Sequence, residues 1–285
     1  MNKKKAFTVI ELMVVIAIIG IIASIILVSL KEVRERATTA AGLNFAAQIH
    51  HALGAYSIGI WDFENNLNDS SGHGNDGTWE DTGGPAPVGN FKCASIDKEN
   101  TPSGKGCSLE FNGVDDYVNC GSKDILDDLT AFTYTAWIKP SRVDLSYQSI
   151  TNKGSWNQWF LLFNDRLRGF TSCSVTNADS YSVIGLLQTN NWYFVTMTFN
   201  NSGDRIIHLY SNGKEVSYDR QIACSGSLSL SYGSRNQEIG KDFASSYYFN
   251  GLIDDVHIYE EALNLAQVKK LYVEGASKHG LLAEE

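Results

Sequence analysis

Residues 3–30 read KKKAFTVIELMVVIAIIGIIASIILVSL, three lysines leading into an apolar run that carries a single charge, Glu11, near its start. A helix of about 20 apolar residues crosses a bilayer. An ionised carboxylate within it costs about 3 kcal/mol even on lenient insertion scales, so Glu11 needs a partner or a task. A cleaved secretory signal has an apolar core of only about 7–15 residues. Leu12–Leu30 is longer than that, and Glu11 would sit badly inside it. A plain single-span anchor matches the length but gives no reason for the charge. Lys3, Lys4 and Lys5 put the N-terminus in the cytoplasm by the positive-inside rule. The chain beyond about residue 31 then faces outward.

The string Phe-Thr-Val-Ile-Glu-Leu directly after Ala6 resembles the N-terminus of type IV prepilins and pseudopilins, over roughly the first 50 residues. The resemblance implies cleavage between Ala6 and Phe7 by a prepilin peptidase and methylation of the new amino terminus. It also implies assembly with other pilin or pseudopilin subunits, Glu11 neutralising the Phe7 amino group of a neighbour in the filament core. Ala6 departs from the usual Gly but keeps the small side chain a peptidase pocket needs. The protein is thus expected in the membrane, single-pass, before assembly, and in an extracellular filament or at the cell surface afterwards.

A net charge of −9 argues against nucleic acid as a partner, because phosphate binding needs a basic footprint. Only 4 prolines occur among 25 glycines and many aromatic residues, which suits short strands joined by turns. All 5 cysteines follow the apolar segment, consistent with an oxidising exterior. Cys93 and Cys107 bracket a polar loop and are the favoured first disulfide; Cys173 and Cys224 could form the second, leaving Cys120 free. Spacing alone leaves the connectivity open.

From Leu12 to about Leu53 the pattern is helical, turning amphipathic after Leu30 with a Val33–Ala37–Ala40–Phe45–Ile49 stripe. From Ile60 the period shifts to two. AFTYTAWIKP (131–140), WYFVTMTFN (192–200) and GLIDDVHIY (251–259) read as strands. Asn212-Gly213 marks a hairpin turn, and a short helix is expected at about Leu265–Val273. The expected organisation is a leader (1–6), a transmembrane and filament-core helix (7–30), an amphipathic stalk helix (31–57), an all-β jelly-roll sandwich (58–275) and a polar tail (276–285).

The strings WDFENNLNDSSGHGNDGTW, LEFNGVDDYVNC, FTYTAWIKP, NWYFVTMTF, HLYSNGKEV and FNGLIDDVHIYEEAL occur in one order that resembles laminin-G-like, concanavalin A-type domains. That likeness implies two curved antiparallel sheets, a concave face that in some relatives binds glycans, and a structural calcium held through the last strand. Calcium takes about six to eight oxygen ligands; Asp69, Asn75 and Asp254 are the expected set, with Asp255 a weaker candidate. Against this, Asp and Asn side chains readily form turns of their own. For carbohydrate, Trp156, Asn157 and Tyr248 are the expected contacts, an aromatic platform beside amide donors. Trp159 would instead continue into a buried strand. Paired catalytic carboxylates are not evident: Asp115 with Asp116, and Asp254 with Asp255, are adjacent and point to opposite strand faces. No G-x-S-x-G elbow occurs, so no enzyme is expected. The expectation is a minor pilin-like subunit whose head binds carbohydrate for adhesion. The alternatives are a secretion pseudopilin with a structural head and, more remotely, a membrane-anchored glycoside hydrolase.

Overall fold

The computed structural model describes residues 12–14, 16–19, 54–81, 89–102, 104–144, 146–154, 157–229, 235–242 and 247–278. The chain divides into two compact units, Met1–Ala52 and Leu53–Glu285. In the first, residues 12–14 and 16–19 are helical and exposed. Ala6, Phe7, Glu11 and the expected stalk up to residue 53 lie outside the described residues. Among the described residues no helix is long and apolar enough to cross a membrane.

In the second unit the period-two pattern becomes strands. These begin with β1 (Ser57–Trp61), β2 (Thr78–Glu80), β3 (Phe91–Cys93), β4 (Cys107–Asn112), β5 (Tyr117–Asn119) and β6 (Ala131–Pro140). Next come β7 (Tyr147–Lys153), β8 (Gln158–Phe163), β9 (Arg166–Thr171), β10 (Ala178–Ser182) and β11 (Tyr193–Asn200). The chain closes with β12 (His208–Ser211), β13 (Lys214–Glu215), β14 (Tyr218–Ile222), β15 (Gln237–Ile239), β16 (Asn250–Tyr259) and helix α1 (Leu265–Lys278). They form two antiparallel sheets of 8 strands each. Sheet A runs β13-β12-β11-β6-β16-β4-β3, with β1 also paired to β16; sheet B runs β14-β10-β9-β8-β7-β15-β5-β2.

The alternation explains the packing. Phe132, Tyr134, Ala136 and Ile138 of β6 face Phe160 and Leu162 of β8 across one core that also holds Trp61, Phe111, Met197 and Ile253. Each fully buried Phe, Leu, Ile or Met among them contributes about 1.5–3 kcal/mol by leaving water. A Cβ on Gly169 would lie 2.6 Å from Ile207 and 2.7 Å from Met197, so glycine is what lets β9 approach sheet A. The Asn212-Gly213 turn has φ of 51° and 71°, the doubly left-handed geometry of a tight hairpin.

Helix α1 covers the outer side of sheet A, where Trp137 and Phe194 meet Tyr272 at ring separations of 5.9 and 6.2 Å. Asn264 caps it: its Oδ1 accepts from Ala266 N and Gln267 N, while Gln267 Oε1 accepts from Asn264 N. The helix runs to Lys278, beyond the expected end of the sandwich at 275. Cys93–Cys107 and Cys173–Cys224 are both disulfides, the first directly across the β3–β4 pair, and Cys120 is free and buried.

Candidate functional site

The loop expected to hold calcium is closed by the protein itself. Asp69 Oδ1 accepts from Ile60 N and Ser71 N, both at 2.9 Å. Its Oδ2 accepts from the backbone N and the side-chain Nδ2 of Asn75, both at 2.8 Å. Asn75 Nδ2 also donates to Ile58 O, and Asn75 O receives Trp61 Nε1. Burial pushes the Asp69 carboxyl up, but the bonds from Ser71, Ile60 and Asn75 outweigh it and hold the group below its ordinary value. The loop carbonyls of His73 and Gly74 are taken by the Lys123 ammonium. Four N–H donors thus converge on the Asp69 carboxylate, while Asn75 Oδ1 is buried with no hydrogen-bond partner.

Asp254 does not join them at such a site. It pairs with Trp137 in the ladder, on the side of sheet A that α1 packs against, and its Oδ1 accepts from Asp255 N at 2.8 Å. An extra residue between Asp254 and His257 bulges β16, with Asp255 at φ 45°. The bulge gathers Asp255, His257 and Asp62, whose ligand atoms lie within 4.8 Å of one another. Asp62 accepts from Ser70 Oγ at 2.8 Å, and His257 Nδ1 lies 3.0 Å from Tyr259 Oη. An imidazole is foreign to the all-oxygen shell that calcium prefers.

Of the expected glycan contacts, Asn157 and Tyr248 are among the described residues. Trp156 lies outside the described residues. Asn157, just before β8, accepts from Ser172 N through its backbone oxygen. Tyr248 sits 6.5 Å from Tyr117, with Lys241 Nζ 3.9 Å from the Tyr117 ring and 5.7 Å from its own.

The outer side of sheet B carries a larger aromatic assembly that sequence reasoning missed. Trp159 is buried, but it faces away from the inter-sheet core and stacks on Phe170 at 4.7 Å. Above them the Arg168 guanidinium lies 5.6 Å from Trp159, 5.9 Å from Phe170, 5.7 Å from Tyr147 and 4.6 Å from Tyr181. Arg168 is oriented by two bonds to Asp179, at 3.0 and 3.3 Å, and Arg220 reaches the same carboxylate at 3.5 Å. Tyr147 stacks on Phe163 at 4.2 Å and meets Tyr247 at 4.9 Å. Burial, aided by Asp179, pushes the Tyr181 hydroxyl up to about 12 against the opposing pull of Arg168, so it stays a neutral donor. The signal was present in RLRGF, where Arg166, Arg168 and Phe170 alternate onto one strand face. Only strand register shows that β8 and β10 bring Trp159 and Tyr181 beside it.

The adjacent acidic pairs are engaged locally. Asp116 Oδ2 accepts from Asn112 N at 2.9 Å and Asn90 Nδ2 at 3.3 Å, and Asp115 Oδ1 accepts from Asn112 Nδ2 at 2.7 Å. Both therefore brace the turn between β4 and β5. Burial, reinforced by Asp115, Asp81 and Glu110, raises the Asp116 carboxyl above its ordinary value.

The architecture and the sequence agree with known proteins. Residues 112–269 match the family model described as the concanavalin A-like lectin/glucanases superfamily, and residues 1–27 match the prokaryotic N-terminal methylation motif, the type IV pilin signature. Domain 4 of an extracellular arabinanase from Geobacillus stearothermophilus, solved with arabinotriose, is 19% identical at TM-score 0.54, covering 76% of this chain and 98% of that one. The ligand binding domain of botulinum neurotoxin serotype D, solved with N-acetylneuraminic acid, is 16% identical at TM-score 0.57. That alignment covers 79% of this chain and 52% of the toxin domain. The binding domain of Paraclostridial mosquitocidal protein 1 is 14% identical at TM-score 0.57, with 77% and 52% covered. The chain thus spans about half the length of those two toxin domains, and at these identities the likeness is one of fold. No curated protein matches. With more than half its length matched, the chain belongs to the concanavalin A-like lectin/glucanases superfamily and carries the prokaryotic methylation motif at its N-terminus.

Proposed function

We propose that this protein is a minor type IV pilin-like subunit whose sandwich head binds carbohydrate at the cell surface, in adhesion rather than catalysis. The observation that carries the reading is the outer side of sheet B. The half-buried rings of Tyr147, Phe163 and Tyr181 there are placed to meet sugar C–H groups, with the Arg168–Asp179 pair beside them for hydroxyls. The methylation motif supports deployment through the membrane into a filament, with prepilin peptidase and other pilin subunits as partners. Sugars bound by two of the structural neighbours support the ligand class.

A glycan array probed with the chain from Leu53 onward, its fold checked by circular dichroism, tests this directly. Reproducible binding that falls at least about tenfold, the 1.4 kcal/mol of one good contact, in both Arg168→Ala and Trp156→Ala is the expected result. Clean failure across diverse glycans and matrix glycoproteins would remove the ligand. One observation favours the second reading, a pseudopilin with a structural head. Trp159, Leu161 and Phe170 are only 5%, 1% and 8% exposed, as in a face that packs on itself.

A further inference from the structure

At the free edge of sheet A, His208 is gripped on both sides. Its Nε2 lies 2.8 Å from Asp204 Oδ2, in the loop before β12, and its Nδ1 lies 2.7 Å from Glu215 Oε1 on β13. A neutral imidazole carries one N–H and one lone pair, so it can donate to only one of two carboxylates. Both contacts are attractive only when both ring nitrogens are protonated. We propose that His208, anchored on the Asp204 loop, is a proton-operated latch that clasps β13 to β12 through Glu215 and lets β13 go when the ring loses its second proton.

The groups facing the ring from every side agree with this. Glu215 Oε1 also receives the Tyr218 hydroxyl at 3.0 Å, whereas Asp204 Oδ1 accepts from Ile206 N and leaves Oδ2 to the histidine. The proton that remains after deprotonation is therefore best placed on Nε2, toward Asp204, and the Glu215 contact is the one that breaks. Asp204, His208, Tyr210 and Glu215 line a cavity of about 360 Å³ closed by Ala262–Leu265 ahead of α1, which brings no titratable side chain. From α1 itself, Lys269 and Tyr272 pass over Gly213 at the hairpin tip. Burial pulls the His208 ring down, but its bonds to Glu215 and Asp204 push it up, and the net shift is above 6.5. A raised folded value means the latch is fully closed below 6.5 and opens only as pH rises through the folded value above it. β13 is the terminal strand of sheet A and both its residues are exposed, so its release bares the edge of β12.

Hydrogen exchange read by mass spectrometry on the full chain in detergent micelles tests the latch. Measurements at about pH 5.5 and about pH 8.5 bracket the histidine range. After correction for intrinsic rates, protection of residues 208–216 should fall about tenfold at the higher pH, the size of one lost charge-assisted hydrogen bond. Strand β11 should show no such step. His208→Gln should lose the step by staying loosely held at both pH values; should that variant misfold, Glu215→Gln should shrink it. Equal protection at both pH values in the parent protein, or a step that persists in the folded variants, overturns the latch.

Discussion

At the scale of single residues, Asp69 is the hub of the chain's first loop, and its chemistry can be separated from that of a metal ligand. Asp69→Ala leaves four N–H donors without their acceptor, of which Ile60 N and Asn75 Nδ2 come from buried or half-buried surroundings. Each buried orphan costs about 1–3 kcal/mol, so a loss of about 3 kcal/mol or more is expected in urea unfolding. The folded carboxyl lies below its ordinary value of 3.8, so its contribution is present above that value. It is lost as pH falls through the lower folded value, and acid unfolding curves of Asp69→Asn should lack that limb. A chelator should leave the melting temperature unmoved, since Lys123 already satisfies the loop carbonyls. A drop on chelation would mean that a cation supports the head elsewhere.

At the scale of elements, close approach and cross-links set the costs. Gly169→Ala pushes a methyl into Ile207 and Met197 between the sheets. Overpacking of this kind costs about 1–3 kcal/mol, and the denaturation midpoint should fall with an unchanged slope. The two disulfides close chain segments of unequal length, with sequence separations of 14 and 51 residues. Loop-closure entropy makes the Cys173–Cys224 bridge worth about 1 kcal/mol more than Cys93–Cys107. Paired serine substitutions compared by thermal melting should show that order; the reverse order would place the stabilisation in the folded packing instead.

At the scale of the whole molecule, the chain joins a prokaryotic N-terminal methylation motif to a concanavalin A-like sandwich. Glu11→Val should leave cleavage after Ala6 intact yet reduce incorporation into filaments, read by immunoblot of sheared fractions; normal incorporation would exclude the pairing with Phe7. Much of this plan was legible in the chain itself. The apolar run with one carboxylate, the period-two strings and the Asn212-Gly213 turn are local features, and strands β6, β11 and β16 formed within a residue of where alternation put them. Both disulfides are the pairings that local context favoured, although spacing alone left the connectivity open. What local pattern could not supply was which side chains become neighbours. Loop composition marked Asp69 as a cation ligand but could not show that Ile60, Ser71 and Asn75 donate to it while Lys123 meets the loop carbonyls, nor that the bulge at Asp255 puts a different trio together at the β1–β16 junction. Arg168 drew no notice in the sequence, because its rings come from β7, β8, β9 and β10 and meet only when strand register aligns them. Periodicity and covalent spacing are properties of the chain and can be read from it; a site spanning several strands is a property of register, and only the folded sheets decide that.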